Sequence, residues 1–307
     1  MNGLILVDKP AGCTSHDVVL SLRKALSERH IGHFGTLDPM ATGLLVAAAG
    51  KAPRFFRFFS NDTKTYAGRI RLGLATDTYD AQGEPLSAEC TEMPGEPALR
   101  AAMSAYRGEI RQVPPPYSAK KFKGQPFYKL ARAGRETPQT PCNVVIHRFE
   151  LLRYEPPEAD VEVTCSAGTY IRSLAHDLGR DLGCGAHLTQ LRRTASGPYT
   201  IDRALSLDQI GDLAAAGETD RFLIPLEALL PDRPRIVLEE ADTRLVRNGQ
   251  SLPIDRLQAT PDISPVLSSL TGPEPTVVKL FNSQGKLIAL ARRDEEKQML
   301  HPFLVLD

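Results

Sequence analysis

The chain has 307 residues, no tryptophan, and 37 basic side chains matched by 37 acidic ones, so its formal net charge is zero. A balanced charge excludes a protein coated in one sign but leaves room for a local basic groove. The longest apolar run, Leu44 to Ala49, is too short to cross a bilayer. The N-terminus lacks a basic segment followed by an apolar one, so no secretory signal is expected. The five cysteines, Cys13, Cys90, Cys142, Cys165 and Cys184, are scattered without C-x-x-C spacing or a histidine pair. That pattern argues against a zinc site and for reduced thiols in a cytoplasmic protein. With 42% hydrophobic and 24% charged residues, the composition is that of an ordinary globular chain, with room for one large domain and a small one.

Charge is unevenly spread. From Arg111 to Arg135 there are seven basic residues (Arg111, Lys120, Lys121, Lys123, Lys129, Arg132, Arg135) and no acid. From Lys51 to Arg71, six basic residues stand against Asp62 alone. Such blocks suit a polyanion, because Lys and Arg on phosphates release condensed counterions. The alternative is a solvated surface balanced by acids from elsewhere in the fold.

Periodicity suggests mixed strands and helices. Gly3 to Val7 reads as a strand, and Lys9-Pro10-Ala11-Gly12 as the turn after it. Thr14 and Asp17 form a capping pair for a helix bearing Val18, Val19, Leu22 and Leu26. Leu44 to Ala48 reads as a buried strand, and Pro53 opens a short helix with Phe55, Phe56 and Phe59. In Tyr66 to Leu74, apolar residues alternate with Arg69 and Arg71, predicting a half-buried strand with a basic outer face. A helix is expected over Leu99 to Tyr106, and strands near Val144 to Leu152 and Val161 to Cys165. A further helix carries Leu174, Leu178 and Leu182. The absence of regular βα alternation points to an α+β sheet. Pro225 to Pro234 reads as a linker, and beyond it helix signals fade. Val277 to Phe281, Leu287 to Ala291 and Phe303 to Leu306 predict a small β domain, and 255–275 a long loop.

The run His33-Phe-Gly-Thr-Leu-Asp38-Pro-Met-Ala-Thr-Gly43 places one carboxylate in a stretch punctuated by glycine and proline. A fixed turn of this kind can present a nucleophile, although Asp-Pro is also a common turn pair. Tyr66 offers a flat ring and a hydroxyl. Tyr170 and Arg172, two residues apart, would face the same way in an extended segment, and an arginine beside Asp38 would keep it ionised. Singly, each has a structural reading as turn, core cap or surface residue.

Their order is more specific. Lys9-Pro10-x-Gly12-x-Thr14-Ser15 followed by His33-x-Gly35-Thr36-Leu37-Asp38-Pro39-x-Ala41-Thr42-Gly43 resembles the opening of the bacterial tRNA uridine-55 pseudouridine synthases, the TruB family. Collinear pieces follow: Lys64-x-Tyr66, Gly73-x-x-Thr76-Asp77-Thr78-x-Asp80-x-x-Gly83 and Tyr117-Ser118-Ala119-x-Lys121. Gly168-Thr169-Tyr170-Ile171-Arg172, Asp177-Leu178-Gly179, Gly185-Ala186-His187-Leu188 and Leu191-Arg192-Arg193 complete the series. The likeness covers roughly the first 200 residues. Ala52-Pro53-Arg54 departs from the family's more frequent Ala-Thr-Lys but keeps the positive charge.

The resemblance implies a pseudouridine-synthase fold, a mixed and mainly antiparallel sheet flanked by helices. It places the catalytic domain at 1–232, with a basic insertion at about 111–140 that closes over RNA, and a small PUA-like RNA-binding β domain at 233–307. It also implies isomerisation of one uridine in the TΨC arm of tRNA, which needs no cofactor, metal or obligate protein partner. Asp38 stands at the family's catalytic aspartate. Attack on C1′, attack on the base and a glycal route all remain open. The resemblance further implies that Tyr66 stacks on the flipped base and takes the C5 proton, and that Arg172 pairs with Asp38. His33 would contact the opened arm, Tyr170 line the pocket, Leu191 pack under the base, and Lys9 support the floor. Lys120, Lys121 and Lys123 would clamp the RNA. A tRNA chaperone acting on the T arm without chemistry, and a guide-RNA-dependent enzyme, are the competing readings.

Overall fold

The computed structural model describes every residue except 119, 123, 134, 136–139, 258–276, 295 and 307. The chain divides into two compact units. One comprises Ile5–Ala47 and Phe55–Phe222; the other comprises Met1–Leu4, Ala48–Arg54 and Leu223–Asp307.

The main sheet is built from β1 (Gly3–Lys9), β2 (Thr42–Ala49), β3 (Lys64–Leu72), β4 (Gly108–Gln112), β5 (Cys142–Glu155), β6 (Glu158–Cys165) and β7 (Ala186–Ser196). Its order is β1–β2–β7–β3–β6–β5–β4. From β7 to β4 all pairings are antiparallel, whereas β2 and β7 run parallel and meet only at Thr42–Arg192 and Gly43–Arg193. The Asp38 loop enters the sheet at this short parallel contact.

Helix α1 (Ser15–Leu26) starts where its sequence says it should, with a Thr14–Asp17 capping box, and buries Val18, Val19 and Leu22. Helices α2 (Glu96–Ser104), α3 (Ile171–Asp181) and α4 (Leu207–Ala215) follow. One face of the sheet forms the core, with Tyr66, Ile70, Val161, Val163, Phe149 and Leu188 buried. The opposite face is polar. It is not the basic surface that the alternation in β3 predicts, because Arg69 forks onto Asp160 across the strand at 2.6 and 3.0 Å and Arg71 reaches Glu89 at 2.7 Å. Acids from distant segments neutralise that part of the basic cluster.

One element was not anticipated from the sequence and one differs from its expectation. Strand β7, the centre of the sheet, has no clean alternation because its register against β3 shifts between Leu188 and Gln190 and again between Arg193 and Ala195. Helix α3 begins at Ile171, so Tyr170 and Arg172 are not neighbours on one face of an extended segment.

In the second unit, β8 (Arg235–Val237), β9 (Val277–Phe281), β10 (Leu287–Asp294) and β11 (Met299–Val305) form a sheet in that order, parallel at its first pair and antiparallel thereafter. A helix, α5 (Glu240–Arg247), lies where helix signals were expected to fade. Its N-cap, Glu239, makes no side-chain capping bond. The core gathers Ile236, Val246, Leu252, Leu280, Ile288 and Leu300. Met1–Leu4 and Ala48–Arg54 belong to this unit: a Cβ on Gly3 would meet the Ile224 carbonyl, and the Lys51 and Arg54 side chains donate to the Leu306 and Val305 carbonyls. Most of the 255–275 segment, expected as a loop, lies outside the described residues. No helix among the described residues is long and apolar enough to cross a membrane.

Candidate active site

The loop from Gly35 to Ala41 is held at nearly every residue. Lys9 is fully buried and donates its Nζ to the carbonyls of Ala41 at 2.7 Å, Pro10 at 2.9 Å and Pro39 at 3.4 Å. Burial pushes its ammonium below the usual lysine range, opposed by the charges at Cys13 and Asp38. Arg193, also buried, donates to Leu44 O at 2.7 Å, Gly35 O at 3.1 Å and Thr36 O at 3.4 Å. The Ser15 hydroxyl accepts from Leu37 N at 2.8 Å. The Gly12 amide donates to Pro39 O at 2.9 Å, which explains why the Lys9–Gly12 turn and the Asp38 loop occur together in the sequence.

Two glycines in this loop are required by backbone geometry. Gly35 and Gly43 adopt φ of +111° and +97°. A Cβ on Gly43 would stand 2.3 Å from the Arg193 carbonyl. Gly43→Ala is therefore expected to lower unfolding free energy by about 2–4 kcal/mol, from left-handed strain plus the clash. A denaturation midpoint equal to that of the parent would show that the β2–β7 contact can open without cost.

Within this frame Asp38 is presented to a cavity. Arg172 forks onto it, Nε to Oδ2 at 2.8 Å and Nη2 to Oδ1 at 2.9 Å. Arg172 is itself 4% exposed, while Asp38 keeps 30% exposure. The guanidinium also donates Nη1 to Thr78 O and Nη2 to Tyr117 O, both at 2.9 Å, and lies 3.3 Å from Asp80 Oδ2. One arginine thus fixes the orientation of Asp38 from behind.

The cavity measures about 460 Å³. His33, Asp38, Tyr66, Lys120, Tyr170 and Leu191 line it, six of the residues expected from the sequence. Tyr66 is buried, and burial raises its phenol above the ordinary range. It is therefore a neutral hydroxyl at neutral pH. Burial likewise raises Tyr170, whose backbone amide and carbonyl are both bound by the Gln112 side chain at 2.8 and 3.0 Å. Burial and then the charge of Arg193 lower the His33 pKa, which leaves a neutral imidazole. Lys64, unassigned from the sequence, lines the wall with its Nζ on Asp62 O at 2.6 Å.

Arg172 and Lys9 do not line the cavity; they hold the wall that does. Lys120 reaches the rim, with Nζ 3.7 Å from Cys142 Sγ. The Lys121 backbone pairs with Pro126 in a two-residue hairpin, and Lys123 lies outside the described residues. Arg111, Lys129 and Arg135 are exposed. Besides Lys64, two contributors carried no role in the sequence reading: Asp80, present only as a motif letter, and Arg193, last residue of Leu191-Arg192-Arg193.

Comparison with known proteins gives the family. Residues 23–171 match the model of the TruB family pseudouridylate synthase N-terminal domain, and residues 172–231 match the tRNA pseudouridylate synthase B C-terminal domain. The chain belongs to the TruB family. A relative from Opitutus terrae named tRNA pseudouridine synthase B is 46% identical over 75% of this chain and 95% of its own length. One of the same name from Burkholderia mallei is 39% identical over 96% of this chain and 94% of its own. Among solved structures, a Cbf5–Nop10–Gar1 complex superposes with a TM-score of 0.68 at 25% identity, covering 99% of this chain and 83% of that one. TruB-family members are pseudouridine synthases, isomerases that rejoin a base to its sugar, and this chain is one of them.

Proposed function

We propose that the chain converts the uridine at position 55 in the T arm of tRNA to pseudouridine, with Asp38 as the nucleophile. The observation that carries this reading is the partly exposed Asp38 carboxylate, locked by Arg172 on one side and open on the other to a cavity walled by Tyr66 and Leu191. The target base must leave its stack to reach such a recess. Tyr66 and Leu191 supply an aromatic face and an apolar floor for it. An Asp38 oxygen bonds to C1′ as the N1–C1′ bond breaks and its electron pair stays on the uracil. The base turns, C5 attacks C1′, and the carboxylate leaves with its electrons. C5 then loses its proton while N1 gains one. No redox change occurs. With its phenol held neutral by burial, Tyr66 serves first as a stacking ring; its oxygen accepts the C5 proton as its own hydroxyl proton passes to solvent.

Relatives named for action on tRNA support the substrate, and the basic segment around Lys120, Lys121 and Lys123 supports RNA contact. In this reading residues 233–307 form a PUA-like RNA-binding domain and the protein works in the cytoplasm. The decisive assay is purified chain alone on a T-arm stem-loop, with mass or chemical detection of pseudouridine. Conversion at position 55 without added protein supports the reading and excludes guide dependence. No conversion of the stem-loop or of full tRNA overturns it.

The flap has its own test. Replacing Lys120, Lys121 and Lys123 together with alanine is expected to weaken stem-loop binding by about tenfold or more and to reduce the salt slope by roughly two to three units. An unchanged slope would return this block to ordinary solvated surface.

A further inference from the structure

The segment that holds Arg172 from the side away from Asp38 contains a feature the chemistry above does not use. Tyr79 adopts φ of +64°, a conformation that a bulky aromatic residue rarely takes. It stands between the two residues that grip Arg172, Thr78 through its carbonyl and Asp80 through its carboxylate. The turn is internally braced: Thr78 Oγ1 donates to Asp80 Oδ1 at 2.7 Å, Gln82 N donates to the same oxygen at 3.0 Å, and Thr76 Oγ1 donates to Asp80 O at 2.7 Å. A left-handed residue at 79 turns the Thr78 carbonyl and the Asp80 carboxylate toward the same guanidinium.

What lies on the Tyr79 ring is a side chain of α3 itself. His176 stacks on it with centroids 3.8 Å apart and planes 14° from parallel. His176 is four residues beyond Arg172, one turn along the same helix face. Among the described residues its buried Nδ1 has no hydrogen-bond partner, and the ring is seated by its stack on Tyr79. Burial, and then Arg180, lower its pKa, which keeps it a neutral plane at neutral pH. The turn at 76–80 is thus fastened to the helix carrying Arg172 at two points, the guanidinium and the aromatic stack.

We propose that the Tyr79–His176 stack is a positioning element that sets the Arg172–Asp38 pair, holding the strained turn in the orientation from which Thr78 and Asp80 grip the guanidinium. Neither ring touches substrate. This inference rests on the reading of Asp38 as the reactive carboxylate.

The test uses His176→Ala, His176→Phe and Tyr79→Gly in the full chain on a T-arm stem-loop. His176→Ala is expected to lower the single-turnover rate by about 10- to 100-fold, with the dissociation constant within about twofold. His176→Phe, which keeps a flat ring and removes the titrating nitrogens, restores the rate to within about threefold. Tyr79→Gly, which relieves the backbone strain but deletes the ring, behaves as His176→Ala, and the two losses do not add. A wild-type rate in His176→Ala, or a loss that His176→Phe fails to rescue, overturns the proposal. A second readout is independent of turnover: the Arg172 Nε–H resonance, hydrogen-bonded to Asp38, should lose its exchange protection in His176→Ala and keep it in His176→Phe. An unchanged Nε–H signal in His176→Ala would also overturn it. Absence of activity in the parent chain would instead overturn the assignment of function, leaving the resonance to decide the stack.

Discussion

Asp38→Asn is expected to abolish pseudouridine formation, by at least about 10⁴-fold in single-turnover rate, while T-arm binding stays within a few-fold of the parent. The substitution is isosteric, so the cavity keeps its shape. What is lost is the charge proposed to attack C1′ and one half of the fork: the amide NH2 would face an Arg172 N–H donor at the position now bonded at 2.8 or 2.9 Å. Arg172 would still hold the Thr78 and Tyr117 carbonyls and lie beside Asp80, and Asp38 is partly solvated. The fold should therefore lose only about 1–3 kcal/mol. Rate and binding must be read together. An activity within tenfold of the parent would move the chemistry away from Asp38. Lost chemistry with retained acceleration of tRNA folding would establish a separate chaperone role, one that needs no nucleophile.

How much of this was legible beforehand depends on whether the signal is local. Thr14 and Asp17 announce the start of α1 because a capping box is a contact between neighbours in sequence. The β3 strand is legible because Tyr66, Ile70 and Leu72 keep a period of two. Strand β7 is not, because its two register shifts break that period in the strand that joins β2 to β3. The start of α3 was hidden for a related reason: its N-cap is Tyr170, which makes no side-chain capping bond, so Gly168 to Arg172 reads as extended chain.

The site divides in the same way. The Asp38 loop carries its own punctuation, and Gly35 and Gly43 do take the left-handed backbone that only glycine tolerates easily. The roles of Lys9 and Arg193 depend on burial against carbonyls that are remote in sequence. Asp80 could be quoted as a motif letter, but its approach to Arg172 exists only once the 76–80 turn is folded against α3. The polar face of the sheet gave the opposite error. Arg69 and Arg71 look like free positive charge along the chain, and their acids arrive from Asp160 and Glu89.

Arg172→Lys is expected to lower the single-turnover rate by about 10²- to 10³-fold without a matching loss of RNA affinity. The guanidinium at this position uses Nε, Nη1 and Nη2 at once, on Asp38, Thr78 O and Tyr117 O, with Asp80 beside Nη1. A lysine keeps the charge but offers three donors from a single nitrogen, and no parallel pair can be directed at one carboxylate. Asp38 would retain a cation nearby and lose its fixed orientation, which on the proposed attack at C1′ a near-attack geometry cannot spare. Because Arg172 sits behind the cavity wall rather than in it, binding should hold. Arg172→Ala separates charge from geometry: it leaves Asp80, 6% exposed, without its cation, and is expected to cost about 3–5 kcal/mol of folding stability as well as the rate. If Arg172→Lys bound the stem-loop poorly yet reacted at the parent rate once saturated, Arg172 would be an RNA contact. The Asp80–Arg172–Asp38 chain would then lose its place as the device that aims the carboxylate.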